Sequence, residues 1–271
     1  MSTNKIHYIC NAGVMIESGG KKVLIDGLIN HAHPIFDKYS PQIETAVING
    51  EPPFDGLDLV LVTHFHSDHF DRHIMAGFCR ANPQVPVVGS PQVMDRLRPE
   101  LPVDANLVEL SPPRYDHERH ELQGVDFSAV SLLHSGKEYE DAINLAYVLR
   151  LGKTFAHTGD AVNSRPNIQA LARAGAAAVP PSALADSGLG DVQAGSAISP
   201  PGSSTLAESR PVIIAPFPYL TLPLAFKKFR NTLAPECLFI LHLPNEHRDP
   251  GGWIAATHNA WNKQRDAGMR I

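Results

Sequence analysis

The sequence predicts an α/β fold, a sandwich of sheets with helices on its outside. Two observations lead there. Short apolar, β-branched runs alternate with helix-like segments in both halves of the chain, a pattern satisfied when helices cover a sheet core. The run at 57–62 also ends in Thr63-His64-Phe65-His66-Ser67-Asp68-His69. That places a dense set of polar donors just beyond the carboxyl end of a buried strand, where open α/β sheets hold ligands. With 271 residues and 43% hydrophobic content, the chain can bury a sizeable core as one large domain or two small ones.

The elements follow in order. Residues 6–10, 14–17 and 23–26 are strand-like, with Gly19-Gly20-Lys21 turning between the last two. Residues 27–56 read as a long irregular loop containing His31 and His33, candidates to line a pocket because loops on rigid sheets carry binding residues. After the histidine cluster, 72–81 reads as a helix with Asp71 as a candidate N-cap. Residues 86–88 read as a strand, and 91–98 as a helix opened by Pro91. Sheet dominates 107–159, with 143–151 pairing with 153–157 across Gly152, and 164–174 is helical. Residues 181–210, mostly Ser, Ala, Gly and Pro without an aromatic, read as a flexible insertion within one domain spanning 1–271. Strand 212–215, a helix around 224–231, strand 237–241 and a helix over 252–267 complete the chain.

His64, His66, Asp68 and His69 fall within six residues, and so many imidazoles beside a carboxylate are costly to place unless a cation binds them. Neutral imidazole and carboxylate suit zinc, and also manganese or iron. No cysteine lies in the motif, whereas closed structural zinc sites usually use cysteine, so the pattern reads as catalytic. No phosphate-cradling glycine loop and no G-x-S-x-G elbow is present, so serine nucleophile chemistry has no support.

The motif H-x-H-x-D-H at a strand end resembles the metallo-β-lactamase superfamily. That family adds a histidine, an aspartate and a final histidine, each at the end of a later strand. His134, Asp160 and His242 stand at such ends in the right order. The resemblance implies an αββα sandwich and two divalent metal ions. His64, His66 and His134 would hold one ion, Asp68, His69 and His242 the other, and Asp160 would bridge them. Asp68 would act as both ligand and proton shuttle. Leu132-Leu133-His134-Ser135-Gly136 and the opening 11–17, leading to 23–26, resemble the branch that holds ascorbate-6-phosphate lactonase. Where that branch often reads Gly-His-Ser, this chain has Asn11-Ala12-Gly13, so the role of that extra histidine does not carry over.

The expected function is therefore a metal-dependent hydrolase of a small molecule, a lactone or a phosphoester, with two zinc ions as cofactors. The alternatives are a phosphodiesterase acting on nucleotides or nucleic acid, and a non-catalytic metal-binding module. The formal charge of −5 and the absence of a Lys/Arg-rich run argue against nucleic acid. Lys227, Lys228 and Arg230 read as a solvated helix face. Three widely spaced cysteines without a C-x-x-C pair fit a reducing cytoplasm. Neither a signal peptide nor a membrane span is expected from the apolar runs. Two residues keep alternative readings. His157 supports the ligands or packs in the core, and Asp26 orients a ligand imidazole or caps a turn.

Overall fold

The computed structural model describes residues 4–29, 36, 40–176, 210–249 and 251–264. Two six-stranded sheets form the centre. The first runs in the spatial order β1(Lys5–Cys10), β2(Gly13–Ser18), β3(Lys21–Ile25), β4(Leu59–Leu61), β5(Val87–Gly89), β6(Leu107–Glu109). Its first three strands are antiparallel and the rest parallel. The second sheet lists from one edge β12(Cys237–Leu241), β11(Val212–Pro216), β10(Thr154–His157), β9(Asn144–Arg150), β8(Val125–Leu132), β7(His117–Leu122). There β7 to β10 form an antiparallel meander, and β10, β11 and β12 are parallel.

Three apolar layers hold these parts together. Between the sheets, Val14, Ile16, Ile25 and Leu61 meet Phe127, Tyr147, Leu149 and Ile214. The outer face of the first sheet packs Leu24, Val60 and Val87 on Ile74 and Phe78 of α2(Arg72–Ala81) and Val93 of α3(Pro91–Leu97). On the second, Val148, Ala156 and Ile213 pack on Ile168 of α4(Arg165–Leu171) and on Phe226 and Phe229 of α6(Pro223–Leu233). The αββα sandwich expected from the sequence is the fold observed. Strands such as β4, buried on both faces, carry unbroken apolar runs because helix covers one side and sheet the other.

The described elements follow the sequence pattern to within a few residues, except that the one-turn helix Pro218–Thr221 is not expected from it and that one further helix lies in the first long loop. Within 27–56, read as irregular, Pro41–Asn49 is a helix, α1. Ser40 caps it by accepting from Ile43 N–H, Pro41 occupies the first turn, and Gly50 closes it at φ 64°. Elsewhere Asp71 does cap α2, accepting from the N–H groups of His73 and Ile74. Helices α5(Pro218–Thr221), a single turn, and α7(Trp253–Gln264), of 12 residues, complete the list. His31, His33 and residues 181–209 lie outside the described residues. Among the described residues, no helix is long and apolar enough to cross a membrane.

Candidate metal centre

Every predicted donor stands where a strand ends. His64, His66, Asp68 and His69 follow β4, His134 follows β8, Asp160 follows β10 and His242 follows β12. Because the two sheets face one another, these ends gather at one rim. Two groups result. Donor atoms of His64, His66 and His134 lie within 4.8 Å of one another, and so do those of Asp68, His69, Asp160 and His242. The seven residues named from the sequence are thus brought together although they span positions 64 to 242.

The spacing fits a divalent ion. His134 Nε2 is 3.2 Å from His64 Nε2, and His242 Nε2 is 2.9 Å from His69 Nε2. Asp160 Oδ1 lies 2.9 Å from His242 Nε2 and 3.4 Å from His69 Nε2. It nevertheless has no hydrogen-bond partner among the described residues. Bonds of about 2.0–2.1 Å in tetrahedral array put neighbouring donors roughly 3.3 Å apart. Asp160 also faces both groups, since its Oδ2 is 3.9 Å from His134 Nε2.

The far side of three of the rings is fixed. His69 Nδ1 is 2.8 Å from Asp26 Oδ2, and both side chains are fully buried. Thr63 donates its N–H to Asp26 Oδ1 (2.8 Å) and its hydroxyl to Asp26 Oδ2 (2.6 Å). That hydroxyl is left to accept from His64 Nδ1 at 2.9 Å. His134 Nδ1 donates to Ser135 O. This network assigns the proton of all three rings to Nδ1 and leaves Nε2 with a lone pair toward the cluster. One carboxylate and one hydroxyl therefore orient a ring in each group. Asp26 is an imidazole-orienting residue.

Electrostatics favour a cation here. Burial lowers His64 well below the ordinary histidine range, with His69 adding to the effect, and burial likewise lowers His66 and His134. His69 behaves oppositely. Burial lowers it, but Asp160, Asp68 and Asp26 outweigh that and raise it well above the usual value. Asp160 is the reciprocal case. Burial raises it, and His242 and His69 more than reverse the effect. The carboxylates thus create a buried negative field that a proton on His69, or a cation at the same place, satisfies.

Backbone geometry completes the rim. Gly159, at φ 55°, turns the chain from β10 to Asp160; a Cβ there would lie 2.3 Å from Asn144 Oδ1. Asn144 Oδ1 accepts from Asp160 N–H at 2.9 Å, and its amide donates to Thr158 O at 3.0 Å. Asn11, Asp26 and His242 all adopt left-handed φ, a strain that the surroundings must hold in place. Asn11 donates to Asp68 O at 3.0 Å and reaches Asp68 Oδ2 at 3.4 Å. His157 is no donor to either group. Its Nε2 is 3.0 Å from Ala12 O, and its Nδ1 accepts from Gly159 N–H at 3.1 Å. It supports the turn that carries Asp160, and burial above all lowers it toward the neutral form.

Sequence reading did not identify Thr63, Asn11, Asn144 or Tyr139 as parts of this site. Tyr139 stands edge-on to His66 and His134, with ring centroids 4.8 and 5.3 Å apart. A threonine at a strand end reads as ordinary β-propensity, so only its place before the first histidine could have marked it.

An αββα sandwich whose strand tips gather histidines and aspartates defines a class of metallohydrolase-like proteins. Residues 21–196 match the family described as "Beta-lactamase superfamily domain", and the chain belongs to that superfamily. Among solved structures it is similar to Igni18, a metallo hydrolase of Ignicoccus hospitalis, with TM-score 0.59, 15% identity, and coverage of 99% of this chain and 94% of that one. CmlA, a diiron β-hydroxylase of Streptomyces venezuelae, gives 0.58 at 13% identity, covering 100% and 53%. An isothiocyanate hydrolase from Delia radicum gut bacteria gives 0.56 at 14% identity, covering 100% and 95%. No curated protein matches the chain.

Proposed function

We propose that this protein is a dinuclear metal-dependent hydrolase of a small molecule, with a lactone or a phosphoester as substrate. The observation that carries the reading is the pair of adjacent donor groups joined by Asp160, which turns one oxygen toward each. His64, His66 and His134 would hold one ion, Asp68, His69 and His242 the other, and Asp160 both. Zinc suits these donors, and manganese or iron are the alternatives; iron is included because CmlA, which shares the fold, is a diiron protein. Such ions, when bound, lower the pKa of water from 15.7 to about 7 and polarise the bond under attack.

The chain's own residues supply orientation and proton handling. Asp26, Thr63 and Ser135 fix ring directions, so the donors need no reorganisation when a substrate arrives. Asp68, partly exposed and held by Asn11, would accept the proton of the attacking water. For a lactone, the water oxygen bonds to the carbonyl carbon, the ring C–O bond breaks, and that proton ends on the departing oxygen. The stretches 11–26 and 132–136 support kinship with the ascorbate-6-phosphate lactonase branch. The net charge of −5 supports a small-molecule partner over nucleic acid. Cysteine usage supports a cytoplasmic setting, and strand-tip donors drawn from both halves support one domain over 1–271.

The test is elemental analysis of the purified protein, followed by chelation, reloading with zinc, manganese or iron, and assay on lactone, thioester and phosphodiester panels. Turnover should vanish with the metal and return with reloading. A protein that takes up no divalent ion, or whose turnover survives metal removal, would overturn the reading.

A further inference from the structure

Beside the second donor group lies a cavity of about 260 Å³. Asp160, His242 and Ser135 are among its lining residues, and the rest of the lining is mostly apolar and aromatic. Phe217 and Trp253 stack with centroids 5.2 Å apart and planes at 22°, and Phe36 meets the His242 ring edge-on at 5.3 Å. Leu222, 51% exposed, forms part of the lip.

The backbone that carries these side chains is anchored by hydrogen bonds. Phe217 N–H donates to Leu241 O at 3.0 Å, tying that ring to the strand end that carries His242. Asp249 caps α7 by accepting from the N–H groups of Trp253 and Ile254 at 2.8 and 2.9 Å, so Trp253 sits in a fixed first turn. Among the described residues, no lysine or arginine lines the cavity. Phosphate recognition normally enlists such cations beyond the metals themselves. Asn163, also in the lining, donates its amide to Tyr219 O at 3.3 Å.

We propose that this cavity seats an uncharged, ring-sized apolar substituent of the substrate, which places the substrate among apolar-substituted lactones and outside phosphoesters. The inference rests on the hydrolase reading above for the bond that is cleaved. A cavity of about 150 Å³ lined by apolar side chains accepts benzene, so the observed volume holds one ring with a short substituent. Seated there, a ring would lie against Phe217 and Trp253 and bring an attached lactone carbonyl toward Asp160 and His242.

The test uses metal-loaded full-length protein and three substrates: γ-phenyl-γ-butyrolactone, γ-butyrolactone and bis(p-nitrophenyl) phosphate. The phenyl lactone should exceed the unsubstituted one in kcat/KM by roughly ten- to a hundredfold, the size expected for burying one aromatic ring, and the phosphodiester should be the poorest of the three. Binding is read separately in a Trp261→Phe protein, where 2-phenyltetrahydrofuran, which has no hydrolysable bond, should change Trp253 fluorescence. Leu222→Arg, at an exposed position that folding tolerates, should lower the phenyl preference, as should Trp253→Ala. An unchanged Trp253 signal, a phenyl preference near one, or a phosphodiester faster than the phenyl lactone would overturn the proposal. If nothing is hydrolysed while the ether still binds, the hydrolase reading falls and the ring-binding site stands.

Discussion

Asp26 Oδ2 lies 2.8 Å from His69 Nδ1, with neither side chain exposed. The same oxygen accepts from the Thr63 hydroxyl, and Oδ1 accepts from the Thr63 N–H. Two oxygens thus satisfy three donors, which an amide, with one acceptor oxygen, cannot do. Asp26→Asn should therefore misorient His69 and weaken metal binding by about 10–100-fold, the usual cost of losing such a partner. Competition with a chromophoric chelator measures this. Affinity equal to the parent's would mean that packing alone sets the ring.

Asp68→Asn separates ligation from proton transfer. The shape is kept, while the charge and the proton-accepting capacity are lost. Turnover should fall by about 10²–10⁴-fold, the range of a general acid–base group. Metal content should fall less, because His69, Asp160 and His242 remain. A variant that turns over at the parent rate, measured with metal content determined in parallel, would end the proton-shuttle assignment.

Gly159→Ala tests the turn that delivers Asp160. The added Cβ would meet Asn144 Oδ1 at 2.3 Å and Thr63 Cβ at 2.9 Å, on a backbone at φ 55°. The left-handed backbone alone costs about 1–2 kcal/mol, and overpacking adds about 1–3 kcal/mol. The midpoint of thermal unfolding should drop by several degrees, with metal retention falling alongside. An unchanged midpoint would show that Asn144 and Thr63 can give way.

Legibility in the sequence followed locality. The motif at 64–69 is contiguous, and strands such as β4 and β11 are unbroken apolar runs, so both were readable directly. His134, Asp160 and His242 carry no local signal beyond a histidine or aspartate after an apolar run, and only a family pattern singled them out. Helix α1 was missed because it buries a single residue, Val47, and so lacks an apolar stripe, although Ser40, Pro41 and Gly50 mark both its ends. Thr63 and Asn144 act through hydrogen bonds to residues just beyond the ends of other strands. The cavity joins Phe36 to Phe217 and Trp253 across most of the chain, a relation that no window of sequence contains.

Far from the donors, Asp126 offers a clean pH test of the second sheet. It sits on β8 and receives Arg119 of β7 through two hydrogen bonds, at 2.9 and 2.6 Å, and Arg150 of β9 at 3.2 Å. Arg150 also donates to Ser128 Oγ at 3.0 Å and reaches Ala174 O, beyond α4, so one residue ties three strands to a helix end. Burial pushes the Asp126 carboxyl up, but the Arg119 hydrogen bonds and the Arg150 charge outweigh it, leaving the group below its ordinary value. A carboxyl depressed by folding contributes stability above its unfolded-chain value, near 3.9, and loses it as pH falls through the lower folded value. The unfolding midpoint of the parent should therefore exceed that of Asp126→Asn by a constant margin above about pH 5, a margin that begins to shrink near pH 4 and closes as pH falls below the folded value. Taking the difference between the two proteins at each pH cancels the titration of the metal-site carboxylates, which both share. The margin should also shrink in high salt, because Arg119 is 64% exposed. A margin that stays constant down to pH 3 would mean that shape at position 126, not its charge, joins the three strands.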